Sequence, residues 1–195
     1  MNHITAPSFE KMKQAALYYK LFLEELGIWD IMEAEPKSRT PMRVVQSYLE
    51  FFGNNLAPIN FTTFPTDSHQ MVSVLNISFA ALCAHHHLPF VGKCHVGYIP
   101  DGLVPGLSKV ARVVEHFTHG ALIQEEVTDN IANYLQTMLQ PKGVIVVMQA
   151  EHSCMTVRGV RKPGSETLTV AKRGVFEASF DDCSQFLELI SINRQ

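Results

Sequence analysis

MVSVLNISFAALCAHHHLPFVGKCHVGYI, residues 71–99, decides the reading of the fold. Met71 to Leu82 and Cys94 to Ile99 are rich in β-branched and apolar residues and are predicted strands. Working outward, Gly106 to Thr118 and Gln124 to Leu139 read as helices, with Leu107, Val110, Ala111 and Val114 making an apolar stripe on the first. Val144 to Ala150 is apolar throughout except at Gln149, the pattern of a strand buried on both faces. Met155 to Val160 and Glu166 to Phe176 are predicted strands joined by the turn Lys162-Pro163-Gly164, and Asp181 to Ile190 a closing helix. The order ββ-αα-ββ predicts an α+β domain, an antiparallel sheet with two helices on one face.

Upstream the texture is helical. Ser8 can cap a helix whose Phe9, Met12, Ala16, Tyr19, Leu23 and Leu26 recur at three- and four-residue spacing, with Gly27 as its stop. A second helix is expected from Thr40-Pro41, an N-cap followed by proline at the first helical position, to Phe52. Asn54 to Ser68 reads as a connector. Residues 1–65 are therefore expected to form a helical arm and residues 66–195 the main domain. A sheet of this kind has two open edges, and joining several copies into a multi-subunit barrel is one way to cover them.

The 195 residues are 46% hydrophobic and 18% charged, an ordinary globular composition. No apolar run approaches the length of a membrane span, and Met1 to Lys13 lacks the basic flank and apolar stretch of a signal peptide. The expected location is the cytoplasm. The net charge of −3 argues against a general nucleic-acid binder, which carries a basic excess. Four cysteines, Cys83, Cys94, Cys154 and Cys183, are too few and too scattered for a disulfide framework.

Cys83-x-x-His86 carries the strongest chemistry, a soft thiolate and an imidazole that can share a borderline-soft ion such as Zn²⁺. Read alone, such a pair is more often coincidence than ligand. His152-Ser153-Cys154, after the apolar run, offers one more thiolate and would complete a Cys-His-Cys set with an open fourth position. His85 and His152 would then stand beside the ion, free for acid–base work. His87 and His95 read as packing or surface residues. Gly106-Leu107-Ser108-Lys109 opens a helix, whose free N–H groups and dipole favour a phosphate. Lys109 and Arg112 share a face there, and Arg158 can converge on them. Spacing alone favours a solvated basic face. Glu125, in Gln124-Glu125-Glu126, likewise fits a surface carboxylate at a helix start.

At these residues the sequence resembles the GTP cyclohydrolase I family. The resemblance rests on CAHHHLPFVGKCHVGYIPDG (83–102), GLSKVAR (106–112), QEEVT (124–128), EHSCMTVRGV (151–160) and TPMRV (40–44), in order from about Pro41 to Phe176. It implies a tunnelling fold with a helical N-terminal arm, assembled into pentameric rings that stack as a homodecamer. It places zinc on Cys83, His86 and Cys154, and catalytic roles on His85 and His152, with Ser108 assisting. Triphosphate contacts fall on Ser108, Lys109, Arg112, Arg158 and Arg43, and the guanine anchor on Glu125 beside Gln124. The implied reaction converts GTP and water into 7,8-dihydroneopterin triphosphate and formate.

Some positions depart from the family pattern. Ala84 stands where a glutamate is usual, Gln46 and Glu126 where basic residues are usual, and His119-Gly120-Ala121 replaces a basic loop. No ligand or principal catalytic group is removed, but the site is less basic. Two other readings remain at the level of sequence: a non-catalytic tunnelling-fold binder holding zinc structurally, which would not need His85 and His152, and a zinc-using nucleic-acid binder, which the acidic balance disfavours.

Overall fold

The structure, a computed structural model, describes residues 7–53 and 59–192, and its contacts divide the chain into two compact units on either side of residues 57 and 58.

The first unit is helical. Helix α1 (Phe9–Glu25) is capped by Ser8, whose hydroxyl accepts from the Lys11 N–H at 3.4 Å, and it stops at Gly27 with φ at +69°. Of the predicted stripe only Ala16 and Leu23 are buried, while Phe9 and Leu26 are exposed. A short α2 (Ile28–Ile31) leads to α3 (Ala34–Phe51), which starts before the expected cap at Thr40 and carries Pro41 inside it. Proline's fixed φ suits a helix, but inside one its ring crowds the carbonyl one turn back, which also loses its donor. The Glu35–Arg39 ion pair at 3.3 Å and the Ser38 hydroxyl donating to the Glu35 carbonyl add support to the extra turns.

The second unit is built on a sheet. A two-stranded ribbon pairs β1 (Thr63–Pro65) with β4 (Leu103–Pro105). The main sheet contains β2 (Val72–Cys83), β3 (Pro89–Ile99), β5 (Ala121–Leu122), β6 (Gly143–His152) and β7 (Glu166–Gly174) in the order β5-β2-β3-β6-β7. It is antiparallel except for β5, which runs parallel to β2. Helices α4 (Leu107–Phe117) and α5 (Gln124–Leu139) pack on one face, as the sequence predicts. Val144, Val146 and Met148 of β6 join their core, while Ile145 and Val147 face the other way onto Phe176, Phe186 and Ile190. The second face is thus covered by α8 (Phe180–Ile192), beyond the short α7 (Val175–Ala178). Gly97 permits this approach, since a Cβ there would lie 2.7 Å from the Phe186 ring. The apolar run of β6 is buried on both sides for this reason.

One predicted strand is absent. Met155 to Val160 forms the end of a helical turn, α6 (Ser153–Thr156), and a loop. The Val157 N–H bonds to the Ser153 carbonyl, and left-handed Gly159 and Arg161, with φ at +61° and +49°, turn the chain back. Local helical bonds and those two residues override the β-propensity of Thr156 and Val157. No helix among the described residues is long and apolar enough to cross a membrane.

Candidate active site

Strand register brings two remote motifs to one end of the sheet. Leu82, near the end of β2, pairs with Pro89 at the start of β3, and the next residue, Phe90, pairs with His152 at the end of β6. Cys83 and the His152-Ser153-Cys154 segment are therefore neighbours by topology. The parallel partner of Cys83 is Leu122, so α5 begins at the same end with Gln124 and Glu125. Between Cys83 and β3 the chain makes a tight turn, closed by the His87 N–H on the Cys83 carbonyl and the Cys83 N–H on the Leu88 carbonyl, each at 2.8 Å.

The ligating atoms of Cys83, His152 and Cys154 all lie within 4.8 Å of one another. The two sulfurs are 4.0 Å apart, and His85 Nδ1 is 3.6 Å from the Cys83 sulfur. Two thiolates on one tetrahedral zinc, at about 2.3 Å each, are about 3.8 Å apart, so the donor set fits such an ion. Burial, followed by the facing Cys83, pushes the Cys154 thiol up, with Arg158 pulling the other way. A divalent cation between the sulfurs would remove that penalty.

His86, the ligand expected from the Cys-x-x-His spacing, is exposed on the turn and lies outside this group, where His152 stands instead. Burial lowers the basicity of His152, opposed by the charge of Glu125. A cavity of about 200 Å³ is lined by Cys83, His85, Gln124, Glu125, His152 and Cys154, among others. Six of the residues singled out in the sequence thus share one pocket.

The anion-binding set is placed differently. Ser108 and Arg112 are exposed on α4, with Lys109 half-buried between them. Arg112 lines a second cleft, of about 320 Å³, with Ser78, Glu115 and His119. Arg158 is exposed in the loop after α6. Arg43 is exposed on α3 of the first unit. Phe90 and Thr128 lie inside the quoted motifs without having been singled out, and Thr169 lies outside them, yet each is tied to the pocket. Phe90 stacks on the His152 ring, and the two threonines join the hydrogen bonds around Gln124.

The family model described as GTP cyclohydrolase I matches residues 19–191, a span that includes the whole pocket. The chain belongs to the GTP cyclohydrolase I family. A GTP cyclohydrolase 1 of Clostridium kluyveri is 40% identical over 185 residues, covering 93% of this chain and 97% of the relative. One from Streptococcus agalactiae serotype Ia is 42% identical over 190 residues, covering 95% and 97%. One from Lysinibacillus sphaericus is 44% identical over 162 residues, covering 81% and 85%. The protein is accordingly a hydrolase of the GTP cyclohydrolase I type, with a Cys-His-Cys group able to hold a metal ion.

Proposed function

We propose that the protein opens the guanine imidazole ring of GTP and forms 7,8-dihydroneopterin triphosphate and formate, with a zinc ion as cofactor. The observation that carries this reading is the meeting of two thiols, two imidazoles and Glu125 around one cavity. Cys83, Cys154 and His86 are the residues that would hold the ion, His86 standing on the turn that begins at Cys83. The ion, when bound, supplies an activated water.

The remaining chemistry belongs to side chains. His85 protonates guanine N7, which makes C8 electrophilic. His152 carries protons in the later opening, sugar rearrangement and ring closure, assisted by Ser108. Glu125 accepts hydrogen bonds from guanine N1–H and the 2-amino group. Adenine lacks those donors and would leave the carboxylate unpaired. Lys109, Arg112, Arg158 and Arg43 neutralise the triphosphate. Arg112 is exposed and lines a cleft that shares no residue with the pocket. This supports a site completed in an oligomer, which we propose to be a decamer of two pentameric rings. In this reading the helical first unit is the arm and the sheet-based second unit, which β1 joins, is the catalytic domain, working in the cytoplasm.

The direct test is incubation with GTP, measuring formate and the absorbance and fluorescence of the product. Formate with a pterin spectrum is expected. GTP returned unchanged by zinc-loaded, oligomeric protein would overturn the reading.

A further inference from the structure

Gln124 was expected at the substrate, yet its carboxamide is committed elsewhere. The residue is only 1% exposed, at the first turn of α5 on the same buried face as Val127, Thr128 and Ile131. Its Nε2 donates to the Met148 carbonyl at 3.2 Å, the Thr167 carbonyl at 3.0 Å and the Thr169 hydroxyl at 3.1 Å. Its Oε1 lies 2.8 Å from His152 Nε2.

The polarity of this network follows from its members. The Thr128 hydroxyl donates to the Gln124 carbonyl at 2.7 Å, which uses its single O–H. The Thr169 hydroxyl, 2.6 Å from that of Thr128, must then donate to it and offer its lone pairs to the Gln124 amide. Reversing the amide would set Oε1 against two backbone carbonyls, oxygen facing oxygen. The amide orientation is therefore fixed, and Oε1 can only accept. His152 Nε2 must carry the hydrogen. Phe90, fully buried, holds the other degree of freedom by stacking on the ring at 4.5 Å between centroids with the planes 3° apart.

We infer that Gln124 is a positioning residue which, with Phe90, locks His152 in its Nε2–H tautomer and leaves Nδ1 as the nitrogen with a free electron pair. Resting on the proposed cyclohydrolase reading, this assigns Gln124 a role through His152 in place of a contact with guanine. It also determines which ring nitrogen can take a proton from the reacting groups or meet an ion.

Long-range ¹H–¹⁵N spectra of histidine-labelled protein report the tautomer directly and require no variant. An Nε2–H signature for neutral His152 is expected, and an Nδ1–H signature would overturn the inference. In turnover, Gln124→Leu should lower kcat roughly 10- to 100-fold with little change in KM for GTP, the size of effect seen when the outer hydrogen-bond partner of a site histidine is lost. In a His152→Ala background the same change should cost nothing further, because the two residues act as one unit. Additive losses, or a raised KM at unchanged kcat, would instead mark Gln124 as a guanine ligand and overturn the inference. Phe90→Leu leaves the polar network intact. If Gln124→Leu does not fold, Phe90→Leu should keep the Nε2–H signature while lowering kcat, and loss of that signature would count against the network. Absence of formate release by the unaltered protein would count against the cyclohydrolase reading alone, since the tautomer measurement stands without it.

Discussion

Cys94 and the Cys83–Cys154 pair place the same functional group in two settings of one sheet. Cys94 sits in mid-strand on β3, fully buried, between Ile77 and Met148 in the ladder. Burial alone pushes its thiol far above its ordinary 9.0 and makes it inert. At the sheet's end, the facing sulfurs of Cys83 and Cys154 stand 4.0 Å apart beside the imidazole of His152, with Arg158 acting on Cys154. Depth separates a core thiol from a ligand less than company does. Strand ends supply that company, because chain turns there bring donors from several elements together.

The sharpest way to break this contrast is to exchange the roles of the cysteines. Cys154→Ala should lose the bound metal and reduce formate release by more than about 10⁴-fold, since both the ion's share and the acid–base chemistry behind it are lost. Cys94→Ala should keep its metal. Metal analysis of the purified variants decides the matter, and metal retained by Cys154→Ala would remove it from the ligand set. The same analysis on His86→Ala and His152→Ala separates the imidazole expected from sequence from the one that stands in the group.

Next in size is His85→Ala. It should hold its metal and lose about 10²–10⁴-fold in turnover, the usual share of a general acid. A fully active variant would show that the 3.6 Å approach of His85 to Cys83 has no catalytic meaning.

These residues were legible because each sits inside a short motif. The order of elements was legible too. Helix α5 and the doubly buried β6 follow from periodicity and from an apolar run. The three-residue strands β1 and β4 were not, because each derives its identity from the other across intervening chain. The segment after Cys154 misled for a related reason, as its β-branched residues say strand while Gly159 and Arg161 adopt left-handed conformations only the fold requires. Gln124 left a usable trace: a polar residue at the head of the buried stripe Val127, Ile131 and Leu135 needs a partner in the core. Which partner, 28 residues on at His152, depends on a register that no local pattern contains.

Glu125 and Glu126 extend the contrast to carboxylates. Glu125 and Glu126 are both exposed, but Glu125 lines the cavity and acts on His152, while Glu126, one residue along and about 100° around the helix, is not among the cavity's lining residues. Glu125→Gln should weaken GTP binding by about 2–5 kcal/mol with metal retained, because a guanine donor then faces another donor. Glu126→Gln should change little. Calorimetry giving the reverse order would transfer the guanine contact to Glu126.

The smallest effect lies with the inert thiol and appears in stability alone. The folded protein holds the Cys94 proton well above pH 9.0, whereas the unfolded chain releases it near that value. Above it the unfolded state binds fewer protons than the native state, so stability falls as pH rises. The contribution is complete below about pH 9 and decays by up to about 1.4 kcal/mol per pH unit above it. Tyr98, also raised by burial from its ordinary 10.0, adds to the decline only at higher pH. The interval from pH 9 to 10 therefore leaves out the tyrosines, and because Cys154 is raised from the same 9.0, the comparison with a Cys94 variant is what separates the two thiols. Cys94→Val should cost less than about 1.5 kcal/mol at neutral pH, as a swap of similar volume. Its stability, followed by urea unfolding of the metal-loaded protein, should fall less across that interval than that of the unaltered chain. An equal fall in both would mean that the alkaline loss arises at the sheet's end, in the paired thiols, and that Cys94 is not the isolated group its surroundings describe.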